Sequence, residues 1–308
     1  MVNVLLYAVI VLVWGTTWLA IKYQLGVVAP EISVLYRFAM AALVMFCWAW
    51  LRGDSLRFKL RDHGFLALMG AFIFSTNYVL FYIATAELTT GLIAVIFSTA
   101  VAWNIINAKV FMGRAMEPLV GLGAAFGLSG ITVVFWPSLA NLAENAAVVW
   151  SLALCILGTL LFSLGNIISQ RNQEQRLPFI ASTAYAIGYG MLLLLLWALV
   201  SGQTFNFDSS APYVLSLAYL TLIGTVVGFA TYLLLVGRLG AARASYATVM
   251  FPIVALGLST IFEGYRWSTS GLLGVALIII GNVIVLAAPL LRRRFTSAPT
   301  CDIERSRP

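Results

Sequence analysis

The chain has 308 residues, of which 62% are hydrophobic and 9% charged, and its mean hydropathy is +0.98. So little polar material cannot clothe a soluble core, so the composition excludes a large water-exposed domain and indicates a membrane protein. A net charge of +7 would suit nucleic acid only if the bases formed a patch, whereas here they stand between apolar segments.

Ten apolar segments follow one another at 3–24, 31–51, 64–85, 90–112, 118–136, 146–170, 179–200, 212–236, 243–263 and 268–291. Each is close to the length of about 20 residues that a helical crossing needs. Helix is expected because it satisfies its own backbone in lipid, and a barrel would need short alternating strands instead. Pro118, Pro178 and Pro212 fall near segment starts, where a missing N–H costs little. The predicted fold is therefore all-α and polytopic.

In the first span Trp14, Thr17 and Trp18 bring aromatic and hydroxyl groups toward the centre, and in the second Arg37 lies about 9 Å in from the edge by helical rise. The third places Ser75, Tyr78 and Tyr82 on one stripe with Asn77 beside it, and the fourth offers Trp103, Asn104 and Asn107. Gly123 and Gly127 form a GxxxG in the fifth, for which close helix packing and a homodimer seam are both open readings. The sixth carries Thr159, Ser163 and Asn166 on one face, and the seventh Tyr185 and Tyr189. The eighth aligns Thr221, Thr225, Gly228 and Tyr232, with Gly224 and Gly228 forming a second GxxxG. Tyr246, Thr248 and Pro252 stand in the ninth, where the proline removes the N–H that would bond the carbonyl of Thr248 and predicts a kink, a hinge or a broken-helix site.

Each of these groups has two readings. Polar side chains in lipid must face one another or a cavity, so they are either interhelical glue or substrate contacts. Arg37 either grips a carboxylate with paired hydrogen bonds or locks onto carbonyls of a neighbouring helix. The rings either line a cavity or simply pack. Lys22 and Lys109 read as snorkelling, and Glu87 and Glu263 as solvated loop edges or groups titrating from the outer mouth.

Fifteen of the 18 basic residues collect on one side of the predicted membrane, leaving Lys22, Arg37 and Arg266 on the other. By the positive-inside rule both termini are cytoplasmic. Sliding the chain against itself by 151 residues aligns Leu88 with Leu239, Phe111 with Phe262, Gly113 with Gly264, Gly123 with Gly274 and Gly130 with Gly281. Two five-span repeats result, 1–137 and 138–291, followed by a basic tail at 292–308 expected to be disordered. An odd span number inverts the second repeat relative to the first, the arrangement by which secondary transporters alternate access.

Cys47, Cys155 and Cys301 are too scattered for a disulfide framework, and the single histidine, His63, cannot build a His-based metal site. No acidic pair, His pair or phosphate-binding loop suggests an enzyme, and no cofactor or metal is expected. A receptor or scaffold remains a rival, although it would have no need of an inverted repeat.

Trp14-Gly15-Thr16-Thr17 running on to Ala20-Ile21-Lys22, and Arg37-Phe38 followed by Ala41-Ala42-Leu43, resemble the opening spans of the drug/metabolite transporter superfamily and its EamA-type ten-helix members. The Phe111-Met112-Gly113 and Phe262-Glu263-Gly264 span ends, each followed by a polar turn and a Gly-rich span, are similar too. The chain departs from the family in having Gly113-Arg114 and Gly264-Tyr265 where Gly-Glu is frequent, and Val101 where the fourth span often has proline. The resemblance implies a bacterial inner-membrane exporter or exchanger of small metabolites, with a cavity between the repeats. The residues favour neutral or zwitterionic solutes, with aromatic or apolar amino acids the specific expectation and cationic drugs or other metabolites the alternative. Phosphorylated sugars would want several deep basic groups. The expected partners are a small-molecule substrate and membrane lipid, and the candidate substrate contacts are Trp14, Thr17, Arg37, Asn77, Tyr78, Tyr82, Trp103, Asn104, Tyr185, Tyr232, Tyr246 and Thr248.

Overall fold

The computed structural model describes residues 2–113, 118–140, 145–239, 244 and 246–296. Among these the regular structure is helical, with no strand. The helices are α1 (Val2–Lys22), α2 (Pro30–Leu51), α3 (Leu60–Ile73), α4 (Thr76–Ala84), α5 (Thr90–Phe97), α6 (Ala100–Met112) and α7 (Pro118–Ala140). They continue with α8 (Ala146–Glu174), α9 (Phe179–Val200), α10 (Ala211–Tyr219), a π-helical segment (Leu220–Val227), α11 (Gly228–Leu239), α12 (Tyr246–Phe262) and α13 (Thr269–Thr296). Among the described residues, seven stretches are long and apolar enough to cross a membrane: Leu5–Lys22, Pro30–Leu51, Leu60–Ala84, Thr90–Met112, Ala146–Glu174, Phe179–Val200 and Ala211–Leu239. Shorter apolar stretches lie in α7, α12 and α13. The protein is thus a multi-pass, all-helical membrane protein.

Three of the predicted spans are not plain helices. The third breaks at Phe74 and Ser75, where Ser75 takes φ −146° and ψ −91°. The fourth breaks at Ser98 and Thr99, whose hydroxyls turn back on the carbonyls of Val95 and Ile96 at 2.6 and 2.7 Å, competing with the helix ladder. The eighth widens into the π segment. By contrast α12 continues as a helix through Pro252, so the predicted kink does not end this helix; a neighbourhood of packed helices tolerates the missing donor. The last helix reaches Thr296, which makes residues 292–296 of the expected tail helical. Residues 297–308 lie outside the described residues.

Glycines set the close approaches. A Cβ on Gly281 would lie 2.5 Å from the carbonyl oxygen of Gly123, and one on Gly130 would lie 2.6 Å from that of Gly274. The Gly123/Gly127 segment is therefore packed closely against α13 of the same chain, the close-packing reading of that GxxxG. The two contacts also exchange under the 151-residue offset, since 123 pairs with 274 and 130 with 281. The α7–α13 pair packs extensively within itself and touches the rest of the bundle lightly. In the main bundle α1 packs on α12 and α11, while α8 packs on α3, α4, α5 and α6. Gly224 and Gly228 serve this packing, because a Cβ would meet Thr17 Cγ2 at 2.7 Å or Trp14 Nε1 at 2.6 Å.

Candidate functional site

Where α1, α2, α4, α5, α8, α11 and α12 converge, they leave a small cavity of about 40 Å³. Its polar lining consists of Thr17, Arg37, Asn77 and Tyr78, set among Trp14, Trp18, Ile21 and the phenylalanines 81, 97, 162, 229 and 251. The breaks in the third and fourth spans position part of this wall: Asn77 and Tyr78 begin a new helix after Ser75, and Phe97 ends α5 just before Ser98. A concave, mostly aromatic space with a few convergent polar groups is the usual form of a small-molecule site.

Arg37 defines the electrostatics. It is 2% exposed, and its Nε donates to Thr225 Oγ1 at 2.8 Å. Its guanidinium carbon stands 4.7 Å from the centre of the Tyr78 ring and 5.6 Å from that of Phe38, so two aromatic faces shield it. Its Nη1 has no hydrogen-bond partner, and among the described residues no carboxylate pairs with it. A buried cation without a counter-ion is costly. The π segment holds this arrangement, because Thr225 Oγ1 donates in turn to the Leu220 carbonyl five residues back at 3.0 Å. The widened turn leaves the Gly224 carbonyl to accept from Trp14 Nε1 at 3.3 Å. Single π turns often mark functional sites.

Further buried polar atoms stand without partners around this centre. Asn77 Oδ1 and Thr221 Oγ1 are unpaired, and the buried Tyr82 hydroxyl lies close to the Arg37 guanidinium. The rings interlock: Trp14 lies 4.8 Å from Tyr232 and 5.1 Å from Phe229, and Trp18 lies 5.4 Å from Phe81 and 5.7 Å from Phe97.

Of the residues expected at the site, Trp14, Thr17, Arg37, Asn77 and Tyr78 line the cavity, and Tyr82 lies buried behind them. Others are elsewhere. Asn166 Nδ2 donates to Asn104 Oδ1 at 3.3 Å and to the Tyr232 hydroxyl at 3.1 Å, so Asn104 and Tyr232 join helices instead of lining the space, although the Tyr232 ring backs Trp14. Trp103 faces a separate groove with Thr99, Gly127, Ile131 and Ile156. Tyr185 is near the Arg171 end of the bundle, packed on Phe58 and His63 and bonded to the Leu56 carbonyl at 3.1 Å. Thr248 is buried in α12, Pro252 lies within that helix, and the Tyr246 side chain lies outside the described residues. The phenylalanines were missed, because a mid-span Phe carries the same sequence signal whether it faces lipid, core or cavity.

Glu263 also differs from its expected place at a solvated edge. Its side chain is 5% exposed, and Oε2 accepts from Thr90 N at 3.0 Å and from the hydroxyls of Thr90 and Ser259 at 2.7 Å each. Lys22 Nζ approaches to 3.9 Å. The carboxylate thus caps the start of α5 and ties it to the ends of α1 and α12. Among the described residues no group of three His, Cys, Asp or Glu could hold a metal ion.

A multi-pass helical bundle built around a small aromatic cavity with an unneutralised buried cation has the architecture of a membrane transporter of small molecules. The chain belongs to the EamA-like transporter family, which matches residues 1–136 and again 149–287. Protein PagO of Salmonella typhimurium is 24% identical over 291 residues, spanning 92% of each chain. A probable terminal-alkyne amino-acid exporter of Streptantibioticus cattleyicolor is 26% identical over 291 residues, 94% of this chain and 95% of that one. An uncharacterized transporter of Bacillus subtilis, YvbV, is 24% identical over 286 residues, 91% of this chain and 90% of its own. A solved structure, described only as the crystal structure of a protein, shares the fold with a TM-score of 0.67 at 19% identity, covering 96% of this chain and 99% of the other.

Proposed function

We propose that the protein is a secondary transporter that exports or exchanges small amphipathic carboxylates, in particular aromatic or apolar amino acids, by alternating access across a bacterial inner membrane. The observation that carries this reading is Arg37, a buried guanidinium with a free Nη1 and no carboxylate partner among the described residues, set in a wall of rings. A substrate carboxylate would supply the missing counter-charge, and the rings would take an apolar side chain. The amino-acid exporter among the relatives supports the substrate class.

The glycine contacts that exchange under the 151-residue offset and the two family matches along the chain support two five-span repeats, the second inverted, as the basis of alternating access. The distribution of basic residues supports cytoplasmic termini. Export of cationic drugs is disfavoured, since a cation would meet Arg37 with no acid to offset it.

The test is counterflow in proteoliposomes loaded with unlabelled amino acids and given labelled phenylalanine, at equal pH on both sides. Accumulation of label above its equilibrium level is expected in wild type. Its absence with correctly folded protein, when a labelled cationic drug does accumulate, would sink the reading.

A further inference from the structure

We propose that Asn77 reads the amino group of the substrate, so that the site selects zwitterionic α-amino acids over carboxylic acids of the same shape. The inference rests on the reading of Arg37 as the carboxylate holder and adds the opposite pole of the site.

Asn77 lies in the first turn of α4, directly after the break at Ser75, and lines the same cavity as Arg37. It is 1% exposed, and its Oδ1 has no hydrogen-bond partner. A buried amide oxygen left unpaired carries the cost of its lost hydration with nothing to offset it. Arg37 Nη1 and Asn77 Oδ1 are the two cavity-lining side-chain atoms in this orphaned state among the described residues. One is a cationic donor and the other a neutral acceptor. That pairing matches a carboxylate and an ammonium carried on one small molecule.

The local structure keeps Asn77 in place. The α8 backbone lies against it at Gly158, where a Cβ would sit 3.3 Å from the Asn77 carbonyl oxygen and 3.1 Å from the Phe81 ring. Phe81, one turn further along α4, shares its face and meets Trp18 and Phe97 at 5.4 and 5.5 Å. An apolar side chain would rest in that cluster.

The experiment uses the full-length protein in proteoliposomes with labelled phenylalanine, challenged by unlabelled phenylalanine, 3-phenylpropionate, which lacks the amine, and phenethylamine, which lacks the carboxylate. In wild type, 3-phenylpropionate should compete at least about tenfold less well than phenylalanine, the discrimination one unmade hydrogen bond to a charged group provides. In Asn77→Leu that ratio should collapse toward unity through loss of phenylalanine binding. Asn77→Asp should improve competition by phenethylamine, and decides the matter if the leucine variant does not fold. Equal competition by 3-phenylpropionate in wild type, an unchanged ratio in Asn77→Leu, or no gain for phenethylamine in Asn77→Asp would overturn the assignment while leaving the transport reading intact. Absence of phenylalanine exchange in wild type would overturn both.

Discussion

Arg37 couples function to instability in one side chain. Its guanidinium sits in the bundle with one hydroxyl, two ring faces and a free Nη1 around it, an arrangement that a well-packed apolar residue of similar length would match or improve for folding alone. Arg37→Met is therefore expected to unfold at a temperature equal to or above that of wild type while counterflow falls about a hundredfold or more, since charge-assisted hydrogen bonds contribute about 1.5–3 kcal/mol each. Thermal unfolding in detergent beside a transport assay checks this, and a destabilised variant that still exchanges amino acids would contradict it. This residue was legible in the sequence for a physical reason: a charge inside an apolar run demands an explanation, and the same applies to Asn77. Trp103 and Tyr185 were as conspicuous, yet their direction depends on features the pattern does not carry. The break at Ser98 and Thr99 resets the face that α6 presents, and Tyr185 finds its partners at Phe58, in the loop before α3, and at His63 in its first turn.

At the scale of elements, apolar length was enough to locate seven stretches able to cross a membrane, because each helix must satisfy its own backbone in lipid, but not to locate the irregular turns. No proline marks the breaks at Phe74–Ser75 or Ser98–Thr99, or the π segment, whereas Pro252 sits in a continuous helix. Tertiary packing decides these turns, and glycines reveal where it is tightest. Gly190 in α9 faces the end of α3, and a Cβ there would lie 2.6 Å from the Phe74 carbonyl oxygen and 2.8 Å from that of Gly70. Backbone cannot give way as a flexible side chain can, so Gly190→Ala should destabilise by about 1–3 kcal/mol, the usual cost of overpacking. A Cβ on Gly257 in α12 would have nothing within 4 Å of it, and Gly257→Ala should be neutral or stabilising by about 0.5–1 kcal/mol through helix propensity. Unfolding midpoints of the two variants should move in opposite directions, and a loss at Gly257 equal to that at Gly190 would mean that close backbone contact is not what makes Gly190 sensitive.

For the whole molecule the question is which end opens. At the Lys22 end α1, α5 and α12 are drawn together: Cβ atoms on Gly15 and Gly91 would meet Val254 at 2.7 Å and Leu256 at 2.9 Å, and the Glu263 carboxylate ties the three helix ends beyond them. Under the alternating access proposed for this protein, this end has to part. The clasp then sets part of the balance between states, because its hydrogen bonds exist only while the helix ends are together. Glu263→Gln keeps the shape but removes the charge, weakening each of three hydrogen bonds by about 1 kcal/mol and the attraction to Lys22. A shift of that size changes a two-state population by about tenfold or more. The measurement is the rate at which a membrane-impermeant maleimide labels Ile21→Cys in the cavity wall, in a background with Cys47, Cys155 and Cys301 replaced by serine. Labelling from the Lys22 side should accelerate about tenfold in Glu263→Gln, whereas Glu87→Gln, which alters an exposed carboxylate in the neighbouring loop, should leave it unchanged. Equal rates in all three proteins would mean that the end is held by apolar packing alone and that Glu263 only caps α5.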